Sequence, residues 1–376
     1  MLTEMSGIRD IASIVCKEVK KVKDRPKVNI IVTGKTRVGK STMINAIFGN
    51  RMAVAGIGKS VTDNIQLHSD DRIPVNIYDT PGLELDSKKQ RKSTDDIYEL
   101  IRKKRETGNV EEYIHSVWHC VNAGLKRFED FEADFVRELK SKYRVPVFVI
   151  ITQCYAKKEA AGLARYIEET TAIKPTAILA EDYETDAGII HAYGLDALIE
   201  STKDSIPKLM WDSLIVAQRI DLELKIDLAN KIVAQTQKVA GAVGFAPVPG
   251  VSDALLIIPA QISMIARITE VFGFPLDKAA VTAIVGSLAG TAGATFAGRA
   301  IVSNLLKCIP GGGTIAGGVI SAATAYTLTG IMGSVYIAAV CAMYDTLSDD
   351  DFENPGLIAK TLADNIKIGM SSGNFK

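Results

Sequence analysis

The sequence predicts an α/β domain, with a mostly parallel sheet and helices on both faces, followed by an all-α domain. Three observations carry this. Between Lys27 and about Ser201, short apolar runs alternate with amphipathic helical patterns, as expected of strands connected by crossover helices. Beyond residue 202 the strand-like runs stop and helical spacing takes over. Two stretches of that second half, 279–298 and 308–344, contain no Asp, Glu, Lys or Arg and are rich in Gly, Ala, Ser and Thr. The expected divisions are an N-terminal helix over 1–26, an α/β domain over 27–201 and a Gly/Ala-rich helical domain over 202–376.

The elements follow in order. Ile8, Ile11, Val15, Val19 and Val22 recur at helical spacing, with Lys17, Lys20, Lys21 and Lys23 on the opposite side. This predicts an amphipathic helix that docks on the protein's own body or lies on an anionic membrane. VNIIVTG is a buried-strand run, and STMINAIFG after it reads as a helix. VNIYDTPG is a strand ending in a loop, and EYIHSVWHCVNAG is a third strand. RFEDFEADFVRELKSKY is an amphipathic helix, VPVFVIITQ and KPTAILAED are two more strands, and YGLDALIESTKDSI closes the set as a helix. One long helical pattern then runs from Ser205 to about Ala240, with Leu209, Leu214, Ala217, Leu224 and Leu228 among its apolar positions. Ser252-Asp253 is placed to cap the helix that follows the Pro-Gly turn.

Composition narrows the function. The 44 basic and 44 acidic residues cancel, which argues against a chain held mainly to a nucleic-acid backbone. The cluster Arg102, Lys103, Lys104 and Arg105 has acidic neighbours and no interleaved aromatics, so it reads as a solvated helix end. Cys16, Cys120, Cys154, Cys308 and Cys341 form no CxxC pair; a reducing compartment fits. His68, His115, His119 and His191 show no metal-ligand spacing, and His115 and His119 read as structural residues of a strand. The N-terminus lacks a signal-peptide core. The expected location is the cytoplasm, with a peripheral or inserted position at the inner membrane as the alternative. The charge-free stretches are long enough to span a bilayer but only mildly hydrophobic. Their small-residue pairs, Gly286/Gly290, Gly293/Ala297 and Gly313/Gly317, suit close helix packing in a membrane or in a soluble core.

The chemistry lies in GKTRVGKS, residues 34–41, which fits G-x-x-x-x-G-K-[ST] between a strand and a helix. Glycines let the backbone wrap a phosphate, and main-chain N–H groups at the helix N-terminus then face the anion. Gly34, Lys35, Thr36, Arg37, Val38, Gly39, Lys40, Ser41 and Thr42 form the expected phosphate-binding set. Lys40 is assigned to the β- and γ-phosphates and Ser41 to Mg²⁺. Asp79-Thr80-Pro81-Gly82 ends the second strong strand. Asp79 there is suited to hold Mg²⁺ through water, and the Gly82 N–H to bond the γ-phosphate. Thr62, in GKSVTDNIQ between the two motifs, is placed to close over Mg²⁺ and the γ-phosphate. Loops of this kind order around a third phosphate and relax on hydrolysis.

GKTRVGKS, Thr62 and DTPG, in this order, resemble the Era/TrmE-type GTPase domain over roughly residues 27–201. Residues 205–345, with VPGVSDALLIIPAQISMIARI and glycine-rich helices, resemble a poorly characterised helical domain that follows such a GTPase in certain bacterial proteins. The arrangement is also distantly similar to immunity-related GTPases. The resemblance implies GTP binding and Mg²⁺-dependent hydrolysis to GDP and phosphate, used as a switch or mechanical unit. For the helical half it implies a membrane-linked or interaction role.

The departures from that family carry information of their own. The family's N/T-K-x-D motif selects guanine through an aspartate. Here the residues are Thr152-Gln153-Cys154-Tyr155, and a phenol does not replace two charge-assisted bonds. Thr152 and Gln153 remain assigned to the nucleotide, with Ala180 and Glu181 of ILAED as further base contacts and Asp182 nearby. Leu83 follows Gly82, where Ras-like enzymes carry the glutamine that orients water. Arg37 occupies the position at which guanylate-binding proteins carry an arginine similar to an internal arginine finger. The catalytic set is therefore Lys40, Arg37, Thr62 and Gly82; the metal set is Ser41, Thr62 and Asp79. A pairing of two GTPase domains would engage Arg37. The alternatives to an active hydrolase are a slow-turnover, nucleotide-gated adaptor and a membrane-embedded protein regulated by GTP.

Overall fold

The computed structural model describes residues 25–49, 52, 59–62, 65–80, 87–243, 253–274, 322–344, 346–347, 351 and 354–372. The N-terminal helix expected over 1–26 lies almost wholly outside these residues. So do the Gly286/Gly290, Gly293/Ala297 and Gly313/Gly317 pairs. The described residues divide into two compact units, one over Arg25–Leu222 and one formed by those from Glu223 onward.

In the first unit, β1 (Val28–Gly34) is buried along its whole length. Both of its neighbours run parallel to it: β4 (Ile73–Asp79) on one side and β5 (Ser116–Asn122) on the other. Beyond β5 lie β6 (Val147–Thr152) and the short β7 (Thr176–Ala177), also parallel. Beyond β4 the edge is antiparallel, formed by β3 (Ile65–Asp70) and β2 (Lys59–Thr62). Among the described residues these make one seven-stranded sheet in the order β2-β3-β4-β1-β5-β6-β7. The chain leaves β1 toward one edge and returns past it to the other. The crevice beyond the carboxyl end of β1 is thus a topological switch point, the usual ligand position in open α/β sheets.

The alternation of β-strand side chains builds two layers on the sheet. Ile31, Val117, Val121, Val149 and Ile151 face a core closed by α2 (Ser87–Glu106), α3 (Asp130–Ser141) and α4 (Lys157–Thr171). On the strand position between them, Trp118 stacks on Phe48 of α1 (Lys40–Phe48) at 6.0 Å. Its indole N–H donates to Thr202 of α5 (Leu195–Ser205) at 3.2 Å. Helices therefore cover both faces, as the alternating pattern predicts. His115 and His119 are buried structural groups. The Asn29 N–H donates to His115 Nδ1 at 2.9 Å, and His119 lies 2.8 Å from Thr33 Oγ1 and 3.3 Å from Glu132 Oε1.

The long helical pattern expected from Ser205 to Ala240 is broken. A 3-10 turn (Lys208–Met210) leads into α6 (Trp211–Ala217), which packs on β4. The chain then straightens before α7 (Leu222–Val243). The cause is Gln218, fully buried: its Oε1 accepts from the Ile220 and Asp221 N–H groups at 2.6 and 2.7 Å, and its Nε2 donates to the Asp221 carbonyl at 2.8 Å. A side chain that bonds the backbone two and three residues on replaces helical bonds. Leu209, read as an apolar helix position, is exposed.

The second unit contains α8 (Asp253–Val271), α9 (Ala322–Tyr344) and α10 (Pro355–Ser372) with most of α7. α8 is described from Asp253 onward; Ser252, expected to cap it, lies outside the described residues. Thr269 Oγ1 lies 2.6 Å from Tyr336 OH, and Gln261 Nε2 donates to Thr329 Oγ1 at 3.1 Å, tying α8 to α9. Gly330 and Gly333 of α9 face Gln237 and Val233 so closely that a Cβ at either would overlap those side chains. Small residues here set the approach of α7 and α9. One helix among the described residues, Ala323–Tyr344, is long and apolar enough to cross a membrane; its mean hydropathy is 1.5 and 56% of that window is buried within the fold.

Candidate nucleotide-binding site

The loop 35–39 joins β1 to α1 at the switch-point crevice. Gly34 has φ 135°, and a Cβ there would overlap the carbonyl oxygen of Cys120 on β5. Glycine is therefore required where the loop leaves the sheet. Arg37 (φ 64°) and Gly39 (φ 91°) both adopt left-handed backbone. These turns bring the loop over the start of α1, whose first-turn residues Ser41 and Thr42 are exposed. Lys40 Nζ donates to the carbonyls of Gly34 and Lys35, 3.2 Å each. The ammonium thus lies across the mouth of its own loop, over the N-terminal end of α1 where an anion is favoured.

The loop is braced on three sides. Thr152 Oγ1, at the end of β6, bonds the Val38 carbonyl and lies 3.1 Å from the Val121 carbonyl. Gln153 has φ 54°; its Nε2 donates to the Arg37 carbonyl at 3.3 Å, and its Oε1 accepts from Asn122 Nδ2 at 2.8 Å. Lys35 Nζ pairs with Glu129 Oε1 at 3.0 Å and Glu132 Oε2 at 3.2 Å, at the start of α3. Asn122, Glu129 and Glu132 were not singled out in the sequence. Asn122 alone had a signal, as a polar residue ending a buried strand beside the site.

β4 brings Asp79 to the same crevice, in register with Val32 of β1. Thr80 staples this end: its N–H and Oγ1 both donate to the Val32 carbonyl at 3.2 Å. Asp79 Oδ1 is buried without a hydrogen-bond partner. Burial pushes the Asp79 carboxyl up, against the opposing pull of Lys40, His68 and the Thr80 N–H. A desolvated carboxylate with an orphaned oxygen beside a phosphate cradle fits a hard cation. Mg²⁺ takes few protein ligands and completes its shell with water and phosphate oxygens, so Ser41 and Asp79 suffice. Among the described residues there is no cluster of three His, Cys, Asp or Glu suited to any other metal site. Of Thr62 the backbone alone is described, at the end of β2 paired with Ile65. Gly82 and Leu83 lie outside the described residues.

A second cleft adjoins the loop, lined by Gly39, Thr42, Thr152, Gln153 and Tyr155 on one side and Ile178–Tyr183 on the other. It brings together the residues assigned to the base, including Ala180 and Glu181. Tyr155 is 45% exposed and packs against Tyr183 with ring centroids 4.3 Å apart. Tyr183 opens a hairpin, β8 (Tyr183–Thr185) and β9 (Gly188–Ile190), that KPTAILAED gave no reason to expect.

A glycine loop on a buried parallel strand, a lysine over a helix N-terminus and a carboxylate on the neighbouring strand define a P-loop nucleotide-binding domain. Comparison with known proteins places it further. Residues 29–153 match the family described as 50S ribosome-binding GTPase, and residues 215–366 match the Domain of unknown function (DUF697). The two matches fall on successive parts of the chain, the first on the segment that carries the phosphate-binding loop and the second on the helical segment. It is 29% identical over 182 residues to the tRNA modification GTPase MnmE of Clostridioides difficile (strain 630), a match covering 45% of this chain. The matched part is 36% of that relative's length. Among solved structures, a probable GTP-binding protein engB is 21% identical with a TM-score of 0.33, covering 41% of this chain and 89% of that one. Era in complex with MgGDPNP and a 16S ribosomal RNA segment is 17% identical with a TM-score of 0.30, covering 57% of this chain and 68% of that one.

Proposed function

We propose that the chain binds GTP with Mg²⁺, hydrolyses it to GDP and phosphate, and uses the two nucleotide states to alter how its helical unit engages a target. The observation that carries this reading is the pairing of a preformed cradle with the orphaned Asp79 Oδ1 beside it. Main-chain N–H groups of residues 35–41 and Lys40 would hold the phosphates. Ser41 and Asp79 would hold Mg²⁺, which when bound neutralises charge on the phosphates. Thr62 and the Gly82 N–H would contact the γ-phosphate, and Arg37 would approach the transferred phosphoryl group when two GTPase domains meet. With Leu83 in place of a polar residue, turnover is slow until something supplies that function.

Purified full-length chain, incubated with labelled GTP and Mg²⁺, tests the reading. It should retain GTP, release phosphate and lose both properties in Lys40→Ala. Absence of any purine-nucleotide binding would end it. Leu83 favours a second reading, a nucleotide-gated adaptor that rarely turns over. GTP retention without measurable phosphate release over hours is its signature. The apolar α9 keeps a membrane-associated role for the helical unit open to carbonate extraction of membranes.

A further inference from the structure

We infer that Asp182 is the residue that reads guanine in this protein, in place of the aspartate whose position is occupied by Tyr155. This rests on the nucleotide-binding reading above. A guanine edge offers two donors, N1–H and the exocyclic amine, and an ionised carboxylate accepts both. Tyr155 offers a single phenolic oxygen and packs instead on Tyr183 at 4.3 Å. The adjacent residue, Asp182, lines the same cleft as Gly39, Thr42 and Gln153.

The carboxylate is held rather than loose. Its Oδ1 accepts from the Ala192 N–H at 2.7 Å and its Oδ2 from His191 Nδ1 at 2.9 Å. A carboxylate has about four acceptor sites, so one anchor on each oxygen leaves a second site on each for the base. The Ala192 N–H first, then His191, also hold the carboxyl below its usual range. Adenine presents an acceptor where guanine presents N1–H, so the same carboxylate would repel it. Tyr155 and Tyr183 supply an aromatic wall to the cleft, and stacking on such a wall is indifferent to which base is present. The division of labour is then clear: the tyrosines hold a base and Asp182 chooses it.

Asp182→Asn in the full chain is the decisive variant. Asp182 is exposed, and asparagine keeps an oxygen that accepts from the Ala192 N–H, so the variant should fold as the parent does. The amide offers a donor where the carboxylate offered an acceptor, and xanthine carries a carbonyl where guanine carries its amine. Parent protein should favour GTP over ATP. The variant should lose roughly 10- to 100-fold in GTP affinity, bind ATP at least as tightly as the parent because the repulsion of adenine N1 is gone, and bind xanthosine triphosphate better than the parent does. His191→Ala, which frees one anchor of the carboxylate, should narrow the GTP/ATP ratio several-fold with ATP affinity unmoved. Glu184→Gln, exposed on the same hairpin but outside the cleft lining, should change neither. A parent that prefers GTP and an Asp182→Asn protein with the same preference overturn the inference and leave nucleotide binding intact. A parent that binds GTP and ATP alike overturns it too. A parent that binds no purine nucleotide removes the underlying reading with it.

Discussion

Gln153 Nε2 donates to the main-chain carbonyl of Arg37, 3.3 Å away, across the phosphate-binding loop. The glutamine stands where the resemblance suggests a residue lying over the base, yet both ends of its amide are engaged, the other with Asn122 at 2.8 Å. Its first role is to hold the left-handed turn at Arg37 in place. Gln153→Ala removes two hydrogen bonds worth about 1 kcal/mol each. Nucleotide affinity should fall roughly ten- to thirty-fold for GTP and GDP alike, with a drop of a few degrees in melting temperature. Isothermal titration with the two nucleotides checks this; a loss confined to GTP would contradict it.

The Lys35–Glu132–His119 chain predicts a pH-dependent contribution to stability. Burial alone would raise the Glu132 carboxyl, but His119, the Glu129 N–H and Lys35 together hold it below the usual range. A depressed carboxyl stabilises the fold above its unfolded value, near 4.5, and that stabilisation disappears as pH falls through the folded value. Glu132→Gln should therefore cost about 2 kcal/mol at pH 7, toward the low side because the Lys35 side chain is 19% exposed. The difference from the parent should shrink below pH 4.5. Urea unfolding of both proteins at pH 7 and pH 4 reads it directly.

Asp79 has the opposite sign. Its carboxyl is raised by burial, so the ionised form weighs on the nucleotide-free fold at every pH above the folded value. Asp79→Asn should melt at or above the parent's temperature at pH 7 without ligand, and the advantage should vanish as pH falls through the carboxylate range. The same variant should lose the Mg²⁺ dependence of GTP affinity. A drop in the ligand-free melting temperature would argue that Asp79 is a structural residue.

Gly34 is the position where the loop tolerates least. Alanine there meets the Cys120 carbonyl, part of β5 and unable to move aside. At Gly39 an added Cβ would sit 3.4 Å from Gln153 Nε2, an ordinary contact, and the cost is the φ of 91° alone. Gly39→Ala should lose about 1–2 kcal/mol, and Gly34→Ala more than that, since a backbone clash adds to the strain. Thermal unfolding of the two variants side by side should give that order.

Much of the first unit was legible because local pattern and tertiary role agree in it. VNIIVTG is apolar throughout because both of its faces are covered, and GKTRVGKS names its own geometry through Gly34 and Gly39. What was hidden depends on contacts distant in sequence. Gln218 ends a helical pattern by folding onto its own backbone, which spacing does not reveal. The antiparallel strand IQLHSD lacks clean alternation because most of it is half-buried. Nothing in ILAED announces that Tyr183 will reach back to Tyr155, or that His191 and Ala192 will hold Asp182. The apolar bias of the second half was plain, but α9 has apolar residues all round and carries no face that would reveal its partners.

Arg37 gives the last prediction. It is exposed on a left-handed turn whose carbonyl, not its side chain, holds the loop to Gln153. Removing the side chain should therefore leave the cradle intact. If Arg37 reaches the phosphoryl group across a pair of GTPase domains, Arg37→Ala should bind GTP as tightly as the parent and turn it over roughly 10³-fold more slowly. The parent's specific activity should also rise with protein concentration, while that of the variant stays flat. Mixing variant with parent separates the two geometries. A finger supplied to a partner would let Lys40→Ala protein, unable to hydrolyse on its own, stimulate the Arg37→Ala protein. An arginine acting on its own phosphates would give no such rescue, and equal turnover in parent and variant would remove Arg37 from the mechanism.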